Sequence, residues 1–362
     1  MTAKQRAKAA LLHREPDRVP VDFWSTAETD ARLLQHLGLA DREVLLQAFA
    51  IDFRYIAGPE YAGPALPVQA DGTRYDLWGV PRRQVGIKGD GWEQLYWEVV
   101  SYPLADCTSV ADVEAYANWP SPDWFDYSVI QEQCARCGDY CVIFEGDRLN
   151  RIAQLKPAMY LRGADRILVD MVLAPELFDA IVGRINDFYL EYERRLLEAA
   201  DGAIDLLMTG DDFGMQNGPI MAPQQWRARL KPGFAAFIEL AHRYSVPVMH
   251  HTCGSVFALI PDFIDADLDV LQSLQPEARQ MDPAHMKKLY GADLAFQGGI
   301  SIQRTLPFGT PHEVRAEVRR LFEAMKPGGG FFAGTSHKIQ ADTPVENVVA
   351  LIEAYRDFGT YA

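Results

Sequence analysis

Short apolar runs alternate with longer amphipathic stretches along the C-terminal two thirds of the chain. This alternation is typical of a parallel sheet whose strands are joined by crossover helices. Six of the apolar runs predict strands, at residues 140–145, 204–208, 246–251, 268–272, 293–297 and 330–333. The four clearest helices each open on a proline, which a first helical turn tolerates, and cover residues 175–200, 223–244, 311–325 and 344–355.

A seventh strand is predicted near the N-terminus, at residues 20–24. Seven strands are one short of a closed barrel, so the pattern predicts an α/β fold, a distorted TIM-like (β/α)8 barrel. Residues 52–125 interrupt the pattern with Gly and Pro turns, and their aromatic runs at 75–80 and 95–100 predict antiparallel ribbons. We therefore expect one domain over residues 1–362, with this excursion inserted after the first strand and covering the barrel mouth.

Composition and charge exclude several classes of partner. Hydrophobic residues make up 48% of the 362 residues and charged residues 23%, which is ordinary for a globular protein. No apolar segment approaches the length of about 20 residues that a membrane span needs. The net charge of −15, with scattered basic residues, disfavours nucleic acid. The N-terminal residues predict a helix rather than a signal peptide, so we expect a cytoplasmic protein whose five cysteines are reduced.

Polar side chains collect where the predicted strands end. In a parallel barrel the catalytic groups lie at the C-terminal ends of the strands, on the loops that lead into the helices. These strand ends carry Glu145, Asp147, Asp211, Asp212, His250, His251, Cys253, Gln272, Gln297 and His337. The sequence therefore predicts one rim at which carboxylates, imidazoles and a thiol converge.

His251 and Cys253 stand two positions apart at one of these strand ends. An extended backbone directs both side chains to the same face, a spacing that suits binding of a single metal ion. Zn²⁺ accepts thiolate sulfur and imidazole nitrogen, and a catalytic zinc site has three protein ligands and an open position. We expect the third ligand to be His337. Three acids are candidates for a further contact: Asp211, Asp212 and Glu145.

Other interpretations of these side chains stay open at this point. His251 and Cys253 could be the polar end of a buried strand, or a nucleophile with its base, although side chains two apart on a strand do not point at each other. Asp211 and Asp212 form a like-charged pair, in which one carboxyl could keep its proton near neutral pH and act as a general acid. They could equally cap a helix.

Two further patterns predict structure rather than chemistry. Cys134 and Cys137 form a CxxC motif close to Cys141, but the chain lacks the second pair of cysteines that usually completes a zinc site. We expect structural thiols there. The run of glycines at 328–330 precedes a strand instead of opening a helix, so it predicts a tight turn and not a phosphate-binding loop.

Motifs spread over nearly the whole chain resemble the uroporphyrinogen decarboxylase superfamily. They are LHREPDRVPV at 12–21, GDDFG at 210–214 with GP at 218–219, HTCGSV at 251–256, GGI at 298–300 and GGGFF at 328–332. The resemblance implies an α/β barrel and one of two chemistries. One is cofactor-free decarboxylation of a porphyrinogen, and the other is zinc-dependent methyl transfer with corrinoid proteins or coenzyme M.

The resemblance is closer to the methyltransferase branch. Decarboxylases of this superfamily have an arginine-rich loop just after the first strand, whereas residues 23–29 here contain no arginine. In the methyltransferase branch the zinc ligands are a His-x-Cys pair and a cysteine on a later strand. His251 and Cys253 match the pair, and His337 stands where the later cysteine is expected. Imidazole is also a zinc ligand, but it makes the site less electron-rich, which suits an oxygen-bearing substrate.

The leading hypothesis is a zinc-dependent methyltransferase that moves a methyl group between a small methyl ether or methoxylated compound and a corrinoid protein. The metal ligands are His251, Cys253 and His337, and Asp211, Asp212 or Glu145 supplies a proton or a hydrogen bond. A partner protein is expected to hold the corrinoid (cobalamin), since the chain has no Asp-x-His-x-x-Gly motif. Trp78 and Trp92 are candidates for the pocket wall.

Three alternatives remain. A thiol acceptor resembling coenzyme M is a close variant of the leading hypothesis. A decarboxylase of porphyrinogens or of another carboxylated substrate would use the acids without a metal, and a non-catalytic barrel would keep only the ligand pocket. The family resemblance also implies a homodimer.

Overall fold

A computed structural model describes residues 1–146 and 151–361. Its centre is a parallel seven-stranded sheet, curled into a distorted TIM-like barrel. The strands lie in the order of the chain: Phe53–Ile56, Cys141–Phe144, Leu206–Gly210, Val248–His251, Val270–Leu274, Ala295–Ile300 and Phe331–Thr335. The α/β barrel expected from the sequence is confirmed, and each of the last six strands overlaps its predicted range.

An extended segment closes the barrel between the last strand and the first. The N–H of Asp22 donates to the carbonyl of Ala333 at 2.8 Å, and the N–H of Ala333 donates to the carbonyl of Pro20 at 2.8 Å. On the other side, the N–H of Asp52 donates to the carbonyl of Val21 at 3.0 Å. This is the segment that the pattern predicts as the first strand, and it pairs at isolated bridges instead of along a regular ladder.

The excursion begins later than the sequence pattern predicts. Residues 53–56, which the pattern assigns to the excursion at 52–125, pair in parallel with Cys141–Phe144 and form a barrel strand. The excursion itself contains a three-stranded antiparallel sheet of Arg74–Tyr75, Pro81–Gly89 and Trp92–Val99. The ribbon expected at 95–100 lies in this sheet, whereas most of the one expected at 75–80 is a turn that leads into it.

Helices connect the strands of the sheet, and the first one packs against the amino end of the barrel interior through Ala7 and Ala10. The helices are Ala3–Leu11, Ala27–Leu37, Arg42–Ala48, Val110–Glu114, Ile130–Arg136, Leu155–Arg162, Ala164–Leu173, Pro175–Ala200, Pro223–Arg229, Lys231–Arg243, Ile260–Asp265, Pro283–Tyr290, Thr305–Phe308, Pro311–Met325 and Val345–Gly359. Short pairs of strands join Glu60–Tyr61 to Phe125–Asp126 and Gly214–Met215 to Gly218–Pro219. The helix predicted at 223–244 is two helices, because Pro232 lacks the N–H that a continuous helix needs.

The barrel interior changes from apolar to polar along the strands. At the amino end it is filled by buried residues such as Phe53, Ile143, Met249, Val270 and Ala295. Two positions further along the same strands, and therefore on the same face, stand Tyr55, Glu145, His251, Gln272 and Gln297. The pleat thus brings these polar side chains together at the carboxyl end of the barrel. No helix within the described ranges is long and apolar enough to cross a membrane.

Candidate metal centre

His251, Cys253 and His337 lie together at the carboxyl end of the barrel. One possible ligand atom from each side chain lies within 4.8 Å of the other two. The sulfur of Cys253 is 3.4 Å from Nε2 of His251. His251 ends the strand Val248–His251, Cys253 is in the following loop, and His337 is in the loop after the last strand. The structure therefore brings together the three side chains that the sequence predicts as zinc ligands.

Gln272 orients the imidazole of His251 from the neighbouring strand. The two residues are partners in the parallel register, and Nδ1 of His251 is hydrogen-bonded to Oε1 of Gln272. Because an amide oxygen only accepts, Nδ1 has the proton and the lone pair on Nε2 faces Cys253. Burial lowers the pKa of His251 well below its ordinary value, so the ring is neutral. This is the form in which an imidazole binds a metal ion.

His250, the other histidine of the pair, points away from the site. Its ring stacks on Phe213 with a centroid distance of 5.3 Å, and its Nδ1 lies 2.8 Å from the hydroxyl of Thr209. Burial lowers the pKa of His250 to about 3. Adjacent residues of a strand face opposite sides, so His250 belongs to the layer between the sheet and the helices.

Trp24 packs against both imidazoles of the site. Its ring centroid is 5.4 Å from that of His251 and 5.8 Å from that of His337. Its Nε1 donates a hydrogen bond of 3.2 Å to Oε2 of Glu145, and the side chain is buried. The sequence analysis does not select Trp24, although it lies in the predicted first strand, and its position on the interior face was a usable signal.

Glu145 holds two cations at the edge of the site. The guanidinium of Arg151 donates to Oε1 of Glu145, and Nζ of Lys338 lies 3.6 Å from the same oxygen. Both cations also lie over the ring of Trp24, with Nζ of Lys338 5.0 Å from its centroid. Glu145 therefore anchors basic side chains at the edge of the site. Asp147, which the sequence places at the same rim, lies outside the described residues.

Asp212 lies directly beside the three candidate ligands. Its Oδ1 accepts the N–H of Cys253 at 3.2 Å and is 3.8 Å from Nε2 of His251, and its Oδ2 is 2.7 Å from Nζ of Lys156. Burial opposes its ionisation, but the ammonium of Lys156, the nearby His251 and the N–H of Cys253 together outweigh burial and hold the pKa of Asp212 below its usual range. The carboxylate suits orienting Cys253 or contacting a cation better than donating a proton.

Asp211 points in a different direction from Asp212. Its oxygens accept the N–H groups of Gln154 at 2.6 Å, Leu155 at 3.0 Å and Lys156 at 2.6 Å, where a helix begins. Burial raises the pKa of Asp211 to about 6, against the effect of these three hydrogen bonds. Of the two interpretations of the acidic pair, this geometry favours helix capping for Asp211.

An Asp211→Ala substitution is expected to lower the free energy of unfolding by about 3 kcal/mol, because three buried N–H groups lose their acceptor. Chemical denaturation measures the change. Asp211→Asn keeps one acceptor oxygen and should lose less. A decrease below about 0.5 kcal/mol for the alanine variant, which is typical of a surface position, would contradict the capping role.

A cavity of about 570 Å³ opens onto this group of residues. Its size is in the range of small-molecule sites. Aromatic side chains contribute much of its wall: Trp24, Trp78, Tyr96 and Tyr160. Trp78 is therefore where the sequence analysis expects it, whereas Trp92 lies at the end of the ribbon opposite Gly89 and does not line the cavity.

The remaining cysteines and the glycine run lie away from the site. Cys141 belongs to the apolar cluster at the amino end of the barrel, and burial raises the pKa of Cys134 to about 11. The five cysteines, all within the described ranges, are free thiols. Gly329 has a φ of 68° and passes so close to Arg14 that a Cβ would lie 2.6 Å from its carbonyl oxygen. The run is thus a tight turn into the last strand.

Comparisons with known proteins agree with this architecture. A uroporphyrinogen decarboxylase from Pelobacter propionicus is 22% identical over 213 residues, which are 59% of this chain and 55% of that protein. A methylated-thiol–coenzyme M methyltransferase from Methanosarcina mazei is 24% identical over 183 residues, which are 51% of this chain and 45% of that protein. The chain thus spans about half the length of the curated relatives it matches.

One solved structure has the same fold over almost the whole chain, and a family model matches more than half of it. The structure is a methyltransferase from Methanosarcina mazei, with a TM-score of 0.70, 19% identity and coverage of 99% of both chains. The family model, described as uroporphyrinogen decarboxylase (URO-D), matches residues 153–358, which are more than half of the chain. The protein belongs to the uroporphyrinogen decarboxylase (URO-D) family.

Proposed function

We propose that this protein is a zinc-dependent methyltransferase of the URO-D family. It moves a methyl group between a small donor, a methyl ether or another methoxylated compound, and the corrinoid of a partner protein. The proposal depends on one observation, the convergence of His251, Cys253 and His337 within 4.8 Å beside a cavity. The methyltransferases among the similar proteins support it, and the homodimer and cytoplasmic location stay predictions.

The residues present fit a zinc ion. Two imidazoles and one sulfur are ligands that zinc prefers, and three protein ligands leave a position for substrate. Burial lowers the pKa of both His251 and His337, so both imidazoles are neutral. The hydrogen bond from His251 to Gln272 is the outer-shell contact that usually accompanies a metal-binding histidine.

Zinc bound at these residues would supply a Lewis acid that polarises the heteroatom bearing the methyl group. The chain itself supplies the surroundings. Lys156, whose ammonium lines the cavity and is paired with Asp212, offers N–H donors to the departing heteroatom. Trp24 packs against the two imidazoles and so limits the positions that their rings can take. Asp212 receives the N–H of Cys253 and thereby orients the loop that bears the thiol.

Metal content and methyl transfer test the proposal together. Protein purified without chelators is expected to contain about one zinc per chain and to convert cob(I)alamin, free or protein-bound, to its methylated form with a methoxylated donor. A thiol resembling coenzyme M is the second acceptor to assay. Less than about half an equivalent of zinc, or no transfer from any donor in a broad panel, would contradict the proposal.

The decarboxylases among the relatives make metal-free decarboxylation a second candidate. Such an enzyme needs cationic groups for the substrate carboxylates. The first arginine after residues 23–29, Arg32, donates to the backbone carbonyls of Ala341 and Thr343, so it is occupied. Release of CO₂ from a porphyrinogen by zinc-free protein would favour decarboxylation. A protein that binds zinc but catalyses neither reaction would favour the non-catalytic barrel.

Replacing Gln272 by leucine is expected to weaken zinc binding by about 10- to 100-fold, the usual cost of losing an outer-shell partner. The substitution keeps the volume of the buried side chain but leaves Nδ1 of His251 without its acceptor. Competition with a chromogenic chelator measures the affinity. If Gln272→Leu binds zinc as tightly as the unmodified protein, Gln272 does not orient a ligand.

A further inference from the structure

The two long strands of the antiparallel sheet in the excursion, Pro81–Gly89 and Trp92–Val99, form a ribbon that reaches the loop bearing His337. Its second strand, Trp92–Val99, presents Gln94, Tyr96 and Glu98 on one face. Tyr96 and Glu98 line the cavity, and Gln94 is buried with 3% of its surface exposed. A buried amide on an otherwise exposed ribbon calls for hydrogen-bond partners of its own.

Those partners lie on the loop that follows the last barrel strand. Nε2 of Gln94 donates to Oε1 of Gln340 at 2.5 Å, and Oε1 of Gln94 accepts the N–H of Ala341 at 3.1 Å. The hydroxyl of Tyr96 donates to the same oxygen of Gln340 at 2.6 Å. These contacts join positions more than 240 residues apart along the chain. They are specific to the ribbon, because the barrel strands take no part in them.

Gln340 connects the ribbon to Lys338, the residue that follows the candidate ligand His337. Its Nε2 donates to the carbonyl of Lys338 at 2.9 Å, one peptide away from His337. The carbonyl of His337 itself accepts the hydroxyl of Thr335 at 2.6 Å. The backbone at His337 is therefore held by the end of the barrel strand on one side and by the ribbon on the other.

We infer that the ribbon helps to form the metal centre, because its residue Gln94 positions His337. This inference rests on the metal site proposed above and adds to it the element that sets where the third ligand lies. His251 and Cys253 lie two residues apart at one strand end, so their placement relative to each other does not depend on a separate loop. His337 reaches them from a separate loop, so its position depends on what holds that loop.

The test uses Gln94→Ala with Gln84→Ala as the matched control. Gln84 has the same side chain on the same ribbon, but it is exposed and pairs with Trp97, which faces the side opposite to Gln94. The probe is Co²⁺, added in place of zinc to the unmodified protein and to each variant. The visible spectrum of bound Co²⁺ reports the number and type of its ligands. Chelator competition gives the affinity. Each variant is also made in a His337→Ala background, which forms a double-mutant cycle.

Gln94→Ala is expected to weaken Co²⁺ binding by about 10-fold and to move the spectrum toward that of His337→Ala. In the His337→Ala background the same substitution should have no further effect, since Gln94 acts through that side chain. Gln84→Ala should match the unmodified protein in both tests. Tyr96→Phe, which removes a single hydroxyl, should give a smaller change in the same direction. It replaces Gln94→Ala as the test variant if Gln94→Ala does not fold.

Two results would overturn the inference alone: unchanged affinity and spectrum in Gln94→Ala, or an equal loss of affinity with and without His337. Either result leaves zinc binding by the unmodified protein intact, so the proposed function survives it. Failure of the unmodified protein to bind Co²⁺ or Zn²⁺ overturns the metal site and the positioning role together. The unmodified protein thus distinguishes the two failures.

Discussion

Cys253→Ala is expected to reduce both metal affinity and the rate of methyl transfer by at least about 100-fold. The loss of an outer-shell partner already costs about 10- to 100-fold, and Cys253 is proposed as a direct ligand. Two imidazoles remain, one at a strand end and one in a loop, and they leave the ion with too few protein ligands for a stable tetrahedral site. Chelator competition gives the affinity, and the absorbance of methylated cobalamin gives the rate.

Cys107→Ala is the matched control for this prediction. Cys107 is a free, partly buried thiol whose backbone carbonyl, not its sulfur, accepts a hydrogen bond from Arg162. Removing it should change neither metal content nor rate. A Cys253→Ala protein that keeps its full zinc content, with Cys107→Ala also unchanged, would show that the sulfur is not a ligand.

The same assay tests whether the imidazole at position 337 takes the place of a family cysteine. His337→Ala is expected to lose metal to a similar extent as Cys253→Ala, whereas His337→Cys should keep it, because thiolate is also a zinc ligand. Retention by cysteine and loss by alanine together identify position 337 as a ligand. His312→Ala, at an exposed position on the helix Pro311–Met325, is a histidine control that should have no effect.

The sequence could predict most of the barrel because its buried parallel strands are continuous apolar runs, each followed by a helix. It could not predict the strand at Phe53–Ile56. Two of the four residues, Arg54 and Tyr55, are polar, and their partners are distant: Arg54 pairs with Glu43, and the hydroxyl of Tyr55 donates to Asp22. A strand whose polar side chains are satisfied by tertiary contacts has no apolar run to reveal it.

In the candidate site, too, the sequence could predict what depends on local geometry but not what depends on distant contacts. The pairing of His251 with Cys253 follows from local geometry, because residues two apart on an extended chain share a face. The role of Gln272 depends on parallel register with His251, and that of Gln94 depends on a contact across most of the chain. Side chains that act through such long-range contacts are outside the reach of a single sequence until the fold is known.

Trp24→Ala is the second substitution expected to have a large effect, and its effect should fall on both stability and the site. Truncating a buried tryptophan typically costs about 3–5 kcal/mol, because the cavity left behind is only partly filled. Trp24 is 5% exposed and lies in the segment that closes the barrel. We therefore expect a loss of about 3–5 kcal/mol in chemical denaturation.

Metal affinity in two variants distinguishes a packing role of Trp24 from a role in positioning the imidazoles. The ring of Trp24 contacts the imidazoles of His251 and His337, and its Nε1 donates to Glu145. Trp24→Phe keeps an aromatic ring in contact with the imidazoles but removes the hydrogen bond to Glu145. Its free energy of unfolding should fall by about 1 kcal/mol for that bond, plus the cost of the smaller ring. Its metal affinity should not change. Trp24→Ala should also bind zinc more weakly, since both imidazoles lose their support. Unchanged metal affinity in a folded Trp24→Ala protein would reduce Trp24 to a packing residue, because the ligands would then hold their positions without it.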